Sequence, residues 1–255
     1  MRLVFLLDNN VHLLYIVHRL VNIVKGVNIM RRNPKMKNIF SDKATLVARK
    51  MLKDPKREWV VRDFIGPSGV SLGMAQNVLE AMAKKGYVER VKKGPDSYTI
   101  LTNKDMLITD WLKEYQFELN TVDSYYSPDK EILNKIKDIL KEEQYALTLH
   151  TGANLITFFV KTEEVFIYLT LTNWDKDILD LRQKLELKEL VRGGNFHIIR
   201  PYYKTSVFFN MQKIKGFAVV SNLQLYLDLY NFQPRGREHA EYLKKLLEEK
   251  GRCLD

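Results

Sequence analysis

The sequence predicts an α+β fold in which three short helices and a hairpin precede a longer region of alternating strands and helices. Apolar residues recur at helical spacing three times between positions 41 and 85, and two short β-rich runs follow. Beyond position 126, β-rich runs alternate with amphipathic stretches, which is typical of a mixed sheet covered by helices. A chain of 255 residues can hold two domains with separate cores. We therefore predict a first domain at 41–105, a linker at 106–125 and a second domain at 126–255.

The helix predicted within Val70–Val88 is the clearest local signal. Ser71 is a suitable N-cap, because its hydroxyl can accept from a backbone N–H of the first turn. Gly86 can adopt the left-handed conformation that ends a helix. One side carries the apolar residues Ala75, Val78, Leu79 and Met82, and the N-terminal half also carries Ser71, Gly73, Gln76 and Asn77. The helix is therefore predicted to be half buried, with small and amide side chains exposed.

The neighbouring segments supply two more helices and a hairpin. Their predicted bounds are Ser41–Asp54 and Trp59–Ile65 for the helices, Gly66–Gly69 for a turn, and Tyr87–Val91 and Ser97–Leu101 for the strands. Pro55 prevents easy continuation of the first helix. The turn between the strands, Lys92–Asp96, begins with two lysines. Three helices followed by a hairpin with a basic tip form a winged helix-turn-helix.

This segment resembles the winged-helix domains of bacterial and archaeal transcriptional regulators. In that geometry the third helix reads the major groove and the hairpin contacts phosphate. Amide side chains can pair with adenine edges, and small residues let the backbone approach the bases. The candidate contacts to double-stranded DNA are Ser71, Gly73, Met74, Gln76, Asn77, Lys84, Arg90, Lys92 and Lys93. An ordinary surface helix is the simpler alternative, and many winged helices bind protein or RNA instead.

The distribution of charge favours a nucleic-acid module in the first part of the chain. The net charge is +10 and the isoelectric point is near 9.4. Residues 41–105 hold 13 Lys/Arg and 8 Asp/Glu, a net of +5, whereas residues 106–255 hold 21 and 22, a net of −1. Residues 1–40 contribute a net of +6. A basic segment joined to a neutral one is the pattern expected of a DNA-binding domain attached to a regulatory domain.

The first forty residues combine an apolar stretch, Leu3–Val24, with a basic linker at 31–37. Charged, amide and histidine residues between Asp8 and Arg19 interrupt the apolar stretch, which disfavours a membrane span. Three interpretations stay open: a packing or dimerisation helix, a membrane-surface anchor, and an upstream extension from a misassigned start. In the last case the first residue would be Met30 or Met36.

The remaining elements are predicted from short apolar runs and helical spacing. Helices are expected at 102–111, 129–143, 155–159, 174–187, 223–229 and 238–250, and strands at 117–122, 145–149, 165–170, 190–191, 196–200, 207–209 and 217–220. The segment His150–Asn154 is expected to break the structure between a strand and a helix, and Ser221 is expected to cap the helix at 223–229. A loop is expected at Ser124–Pro128 and a solvated turn at Glu163-Glu164.

The last sixty residues carry a second resemblance. The segments Val219–Leu229 and Arg235–Ala240, together with Tyr145–Thr148 and Gly152-Ala153, are similar to the C-terminal domain of AbiEi-type antitoxins. The resemblance covers most of residues 41–250 and departs at His150-Thr151, which lengthens a small-residue turn. It implies a transcriptional regulator of a type IV toxin–antitoxin (abortive-infection) system. Such a regulator represses its own operon and opposes a nucleotidyltransferase toxin without needing a stable complex with it. The alternative is a stand-alone winged-helix regulator.

An enzymatic interpretation was weighed against this one. Asp175 and Asp177 form an Asp-x-Asp pair after a predicted strand, and such a pair can hold Mg²⁺ in nucleotidyl transfer. That chemistry needs an upstream Gly-Ser turn, and Thr151-Gly152 lacks the serine. The two acids are better explained as helix N-terminal residues stabilised by the dipole. We therefore predict a regulator without catalytic residues.

No cofactor or metal is expected. The five histidines show no metal-ligand spacing, and His197 is expected to be a core or edge residue. Cys253 is the only cysteine, which excludes a disulfide framework and fits a reducing cytoplasm. Arg235 and Arg237 are candidates for contact with phosphate or an acidic partner surface, with capping and salt bridging as the alternative.

Overall fold

The computed structural model describes residues 38–66, 69–252 and 254. The predictions made for residues 1–37, and those that involve Pro67, Ser68 and Cys253, lie outside this part of the chain. The described residues belong to one compact unit, Asn38–Asp255. They form eight α-helices: α1 (Asp42–Lys53), α2 (Leu72–Lys84), α3 (Lys104–Glu114), α4 (Ile132–Ile139), α5 (Leu149–Thr157), α6 (Trp174–Lys184), α7 (Asn222–Tyr230) and α8 (Gly236–Glu249).

The strands form two sheets. The strands are β1 (Val88–Val91), β2 (Tyr98–Leu101), β3 (Thr121–Tyr125), β4 (Tyr145–Leu147), β5 (Val165–Leu169), β6 (Phe196–Arg200), β7 (Gln212–Ile214) and β8 (Phe217–Val219). β1 and β2 form a hairpin, and the other six form a sheet in the order β3-β6-β5-β4-β8-β7. β5 and β6 are parallel, as are β4 and β8, while the other pairs are antiparallel. The predicted α+β class with a mixed sheet is confirmed.

The segment before residue 102 contains α1, a single 3₁₀ turn at Val61–Phe64, α2 and the hairpin. The predicted second helix is therefore only one turn long. Trp59 forms an isolated antiparallel bridge to Thr99 of β2, with N···O distances of 2.9 and 2.8 Å. This bridge continues the hairpin into a third short extended segment. Gly86 has φ +77°, the left-handed conformation predicted for it.

Helix α1 is buried along most of its length, because it packs against α2 on one side and against the 3₁₀ turn Ser206–Phe208 on the other. The Asp42 carboxylate accepts from the backbone N–H groups of Thr205 and Ser206, at 2.8–3.1 Å. Thr45 Oγ1 donates to Ser206 Oγ at 2.7 Å. These bonds join residues more than 160 positions apart in the sequence, and they fix α1 to the region that carries the six-stranded sheet.

The predicted break at His150–Asn154 is wrong. These residues lie inside α5, which packs against β5, α7 and α8. Gly152 is needed for this packing and does not end the helix. A Cβ atom at Gly152 would lie 2.9 Å from the Leu147 carbonyl oxygen and 3.0 Å from a methyl group of Leu225. The glycine therefore marks a close approach between elements.

Several other predicted bounds are also wrong. Residues 117–119 form a 3₁₀ turn, and the strand begins at Thr121 and runs through part of the predicted loop to Tyr125. Residues 206–208 form a 3₁₀ turn and not a strand, the segment 190–191 is irregular, and the helix at 129–143 is reduced to α4. Strand β7 was not predicted. These runs are short, and short apolar runs do not distinguish strands from turns.

The predicted linker at 106–125 contains most of α3, the 3₁₀ turn Phe117–Leu119 and β3. The domain boundaries stay a prediction. None of the helices in the described part of the chain is both long and apolar enough to cross a membrane.

Candidate nucleic-acid interface

The N-terminal half of α2 is exposed, as the position of its apolar residues predicts. Ala75, Val78, Leu79 and Met82 are buried, whereas Ser71, Gly73, Gln76 and Asn77 are exposed and Met74 is half-buried. Ser71 Oγ accepts from the Met74 backbone N–H at 3.2 Å, which confirms the predicted N-cap. The cap fixes the first turn of α2, so the side chains of the second turn leave the helix in defined directions.

A polar chain links α2 to the hairpin. Gln76 Nε2 donates to Glu80 Oε1 at 3.3 Å, and Arg90 of β1 forms an ion pair with the same oxygen at 3.5 Å. The structure therefore joins Gln76 and Arg90 through the carboxylate of Glu80, a residue that was not among the predicted DNA contacts. Lys84 is exposed about two turns further along α2, a rise of about 12 Å along the helix axis at 1.5 Å per residue. We refer to Ser71, Gly73, Gln76, Asn77 and Arg90 as the α2 surface.

The hairpin tip is a compact turn with two exposed lysines. Ser97 Oγ accepts from the Lys93 backbone N–H at 3.1 Å and donates to the Gly94 carbonyl at 2.7 Å. Lys92 and Lys93 are both exposed, and Lys93 Nζ lies 5.8 Å from the centroid of the Tyr98 ring. The turn is ordered by its own hydrogen bonds, so the lysine side chains extend from a fixed backbone.

Leu72 was missed by sequence reasoning. It lies three residues before Ala75, at the spacing of the buried stripe, and helical periodicity alone predicts that it is buried. It is 52% exposed in the first turn of α2. An exposed leucine beside the amide residues can contact a thymine methyl group. Glu80 was also missed, since a single carboxylate on a helix gives no sequence signal.

The two C-terminal arginines differ in their surroundings. Arg235 Nε is 3.1 Å from Glu238 Oε2, and its guanidinium lies 5.2 Å from the centroid of the Phe159 ring. The Arg237 guanidinium lies 4.6 Å from the centroid of the Tyr230 ring. Within the part of the chain that the structure describes, Arg237 forms no ion pair. Arg235 is held by a salt bridge, as the simpler alternative predicts, and Arg237 lies against an aromatic ring.

The Asp-x-Asp pair lies in the first turn of α6. Asn173 caps this helix, with its Oδ1 accepting from the Lys176 N–H at 3.4 Å. Asp177 Oδ2 accepts from the Asn173 backbone N–H at 3.0 Å. Among the described residues, no group of three His, Cys, Asp or Glu side chains is arranged to hold a metal ion. Asp175 and Asp177 thus occupy the helix N-terminal positions that the dipole stabilises.

His197 is a nearly buried residue of β6. Its ring stacks on Phe166 with centroids 4.3 Å apart, and its Nδ1 is 2.9 Å from Ser124 Oγ. Burial lowers the pKa of His197 to about 4. The ring is therefore neutral at physiological pH and serves in packing, as its position in an apolar strand predicts.

The segment Val219–Leu229, which carries the AbiEi-like resemblance, builds a buried polar cluster. Ser221 caps α7 by accepting from the Gln224 N–H at 3.2 Å, as predicted. Asp228 is fully buried in α7 and accepts hydrogen bonds from Tyr115, Tyr168, Thr148 and Gln224. Burial raises the pKa of Asp228 to about 6, although these hydrogen bonds oppose the shift. The polar residues of this segment therefore hold the fold together.

Gln224 connects this cluster to α1. Its Nε2 donates to Asp228 Oδ1 at 2.7 Å, and its Oε1 accepts from the Arg49 guanidinium at 2.5 Å. Arg49 is 0% exposed and also lies 5.0 Å from the centroid of the Trp111 ring. We refer to Arg49, Tyr115, Thr148, Tyr168, Gln224 and Asp228 as the buried cluster.

Comparison with known proteins assigns the family. Residues 100–250 match the family described as "Transcriptional regulator, AbiEi antitoxin, Type IV TA system". No curated protein matches the chain, and no solved structure matches it. The matched region includes α3, the six-stranded sheet and α4 to α8, and it extends over more than half of the chain. The chain therefore belongs to the AbiEi antitoxin family of transcriptional regulators from type IV toxin–antitoxin systems.

Proposed function

We propose that this protein binds double-stranded DNA at its own promoter through α2 and the β1–β2 hairpin, and thereby represses its operon. The observation that carries the proposal is the α2 surface, in which the exposed small and amide side chains of α2 are linked through Glu80 to Arg90 of the hairpin. An exposed helix end suits insertion into the major groove, which is wide enough for one helix. The membership of the chain in a family of transcriptional regulators supports the same function.

The arrangement of elements supports a winged helix-turn-helix. α1, the 3₁₀ turn at Val61–Phe64, α2 and the hairpin follow in the order of that motif, and the Trp59–Thr99 bridge adds a third extended segment. In this geometry Met74, Gln76 and Asn77 face base edges, while Ser71 and Gly73 allow the first turn to approach the DNA closely. Arg90, Lys92 and Lys93 contact phosphates on the hairpin side, and Lys84 contacts phosphate at the far end of α2.

The carboxylate of Glu80 gives the proposed interface a defined charge pattern. It offsets part of the positive charge of Arg90, whose Nη1 lies 3.5 Å from Glu80 Oε1. It also repels a phosphate group that approaches Arg90. Phosphate contact on this side therefore depends most on Lys92 and Lys93, which have no carboxylate partner among the described residues. Base contact depends on the amides, which carry no charge.

The direct test is a competition titration at fixed salt. Full-length protein is bound to labelled promoter duplex, and unlabelled promoter or scrambled duplex of the same composition is added. We expect the promoter to compete at a concentration at least tenfold lower than the scrambled duplex, since specific sites usually bind about 10³-fold or more tightly than non-specific DNA. Equal competition by the two duplexes would exclude sequence-specific binding and would favour a protein or RNA partner.

We infer further that the protein opposes a nucleotidyltransferase toxin, because the chain belongs to the antitoxin family. The region matched by the family excludes α2 and the hairpin tip and contains only the last two residues of β2, so we assign antitoxicity to residues 100–250. A growth assay tests this assignment by expressing the candidate toxin encoded next to this gene with the wild type or with Gln76→Ala/Asn77→Ala. We expect both proteins to restore growth, since the substitutions lie outside the matched region.

The same assay also tests the alternative of a stand-alone regulator. If no neighbouring gene encodes a nucleotidyltransferase, or if the wild type does not restore growth against the toxin, the antitoxin role is wrong and the regulatory role remains. Direct association, measured by co-purification, is not required for the proposal.

A further inference from the structure

A groove with a volume of about 540 Å³ lies between α3, α7 and α8. It is open to solvent on one side, and its walls carry Lys113, Gln116, Tyr230, Asn231, Arg237 and Lys244. None of the residues of the α2 surface or of the hairpin lines it. The groove is therefore a separate concave site, within the range of about 300–1,000 Å³ that small-molecule sites occupy.

The charges of the groove favour an anion. Three cationic side chains line it, Lys113, Arg237 and Lys244, against one carboxylate, Asp105. Lys113 Nζ is already 2.7 Å from Asp110 Oδ1. In the described part of the chain, Arg237 and Lys244 form no ion pair. Two cations without carboxylate partners on one concave surface can bind a phosphate group, and the guanidinium can do so in a bidentate manner.

Aromatic rings form the wall beside these cations. The Tyr230 ring lies 4.6 Å from the Arg237 guanidinium, and its centroid is 5.5 Å from that of Tyr226. Tyr226 is fixed by its hydroxyl, which donates to Glu241 Oε1 at 3.0 Å. The half-buried Tyr230 ring thus has a rigid support on one side. The Arg237 guanidinium lies over the Tyr230 ring, so a planar heterocycle contacts the edge of that ring beside the cation.

Two amide side chains also line the groove. Asn231 Nδ2 donates to the Leu112 carbonyl at 3.2 Å, which orients the side chain. Its Oδ1 faces no hydrogen-bond donor among the described residues, so an acceptor remains for a ligand. Gln116 supplies both a donor and an acceptor. Amides in this position match the hydrogen-bonding edge of a nucleobase.

We propose that the groove between α3, α7 and α8 binds a mononucleotide, with the phosphates held by Arg237 and Lys244 and the base placed against Tyr230. Lys113 contacts the outer phosphate, and Asn231 and Gln116 contact the edge of the base. The proposal is independent of DNA binding, because it uses different residues on a different part of the surface.

Titration calorimetry on the full-length protein tests the proposal with ATP, GTP and inorganic phosphate as probes. We expect at least one nucleotide to bind the wild type, and at least tenfold more tightly than phosphate, since phosphate lacks the base. Arg237→Gln and Lys244→Gln should each weaken nucleotide binding by about tenfold or more, the effect of losing a charge-assisted hydrogen bond of about 1.5 kcal/mol or above. Thermal melts of the two variants establish that they fold.

Arg235→Gln is the matched control. Arg235 lies two residues from Arg237 and is exposed, but it is paired with Glu238 and does not line the groove. This variant should bind the nucleotide like the wild type, and so should Lys92→Ala/Lys93→Ala, which removes charge from the hairpin tip. The absence of nucleotide binding at millimolar concentration overturns the proposal. Equal losses in Arg235→Gln and Arg237→Gln, or loss in the hairpin variant, also overturn it, because binding would then follow net charge and not the groove.

Discussion

The α2 surface and the buried cluster contain similar polar side chains in opposite environments. Gln76 on α2 makes one hydrogen bond of 3.3 Å to Glu80 and is otherwise in contact with solvent. Gln224 on α7 is 0% exposed and uses both ends of its amide, at 2.5 and 2.7 Å. An exposed amide can exchange its water for a ligand at a small cost in free energy. A buried amide already bonds to its neighbours, and breaking those bonds leaves buried polar groups unsatisfied. The same residue type therefore serves recognition in one region and the fold in the other.

The buried cluster also explains how α1 is held. The guanidinium of Arg49 and the carboxylate of Asp228 lie at opposite ends of the Gln224 amide, so opposite charges are connected through a neutral side chain. The Arg49 guanidinium is also within 5.9 Å of the Tyr203 ring centroid. Isolated charges are costly to bury, and this arrangement supplies hydrogen bonds and aromatic contact in place of water. Through α1, the cluster positions the segment that carries α2.

The largest effect is expected from Asp228→Ala. The substitution removes the acceptor shared by four buried donors, those of Tyr115, Tyr168, Thr148 and Gln224. The Tyr115 hydroxyl, which lies 3.3 Å from Tyr168 Oη and from Gln224 Nε2, cannot serve all of them. Each unsatisfied group costs about 1–3 kcal/mol, so we expect the free energy of unfolding to fall by roughly 4 kcal/mol or more. Urea unfolding followed by circular dichroism measures the change.

Asp175→Ala is the control for this experiment. Asp175 is an exposed acid in the first turn of α6, and its removal should change the free energy of unfolding by no more than about 0.5 kcal/mol. If the two substitutions have similar effects, the distinction between buried and exposed polar groups fails for this protein.

The pH dependence of Asp228 is expected to have the next largest effect. Its pKa is raised from 3.8 to about 6, so the folded state binds a proton more tightly than the unfolded state between these values. Its contribution to stability is present below pH 3.8 and is lost as the pH rises through about 6. The free energy of unfolding of the wild type, relative to Asp228→Asn, should fall by on the order of 3 kcal/mol from pH 4 to pH 7, at about 1.36 kcal/mol per unit.

Urea unfolding of both proteins at several pH values measures this difference. Burial lowers the pKa of His150 and lowers the pKa of His239 to about 3, so these residues destabilise the folded state as the pH falls below 6.5. Both histidines are present in both proteins, and their effect cancels in the comparison. A difference that stays constant from pH 4 to pH 7 would contradict the raised pKa of Asp228.

On the α2 surface we expect specificity to change without stability. Gln76→Ala and Asn77→Ala should each reduce the preference for promoter over scrambled duplex by about 1–3 kcal/mol, or roughly ten- to a hundred-fold. The melting temperature and the affinity for scrambled duplex should stay unchanged, because both side chains are exposed. The competition titration gives the ratio. Variants that keep the wild-type ratio would show that α2 is not the part that reads the sequence.

The smallest effect is expected at the hairpin tip. Lys92→Ala/Lys93→Ala should weaken binding to all duplexes alike, because phosphate contacts carry no sequence information. The slope of log affinity against log salt should flatten by roughly 0.9 for each lost phosphate contact. Titrations at four salt concentrations measure the slope. A slope equal to that of the wild type would place the DNA contact elsewhere.

The sequence alone determined the features that depend on neighbouring residues. The helical spacing of Ala75, Val78, Leu79 and Met82 gave α2 its buried side, and Ser71 and Gly86 gave its two ends. The mixed α+β pattern and the AbiEi-like segment Val219–Leu229 were also recognisable from the sequence, because each consists of local runs of residue types. Capping, periodicity and turn formation act over a few residues, so a sequence contains them directly.

Only the tertiary structure decided which polar residues are buried. A basic residue such as Arg49 on an amphipathic helix is expected at the surface. It is buried because its guanidinium bonds to Gln224, and the local sequence does not identify that partner, which lies 175 positions further along the chain. Gly152 was interpreted as a break for the same reason, since the Leu147 carbonyl and Leu225 that require a glycine belong to other elements. Burial depends on contacts between distant segments, and their free energy is fixed by the packing of the whole unit and not by any local run of residues.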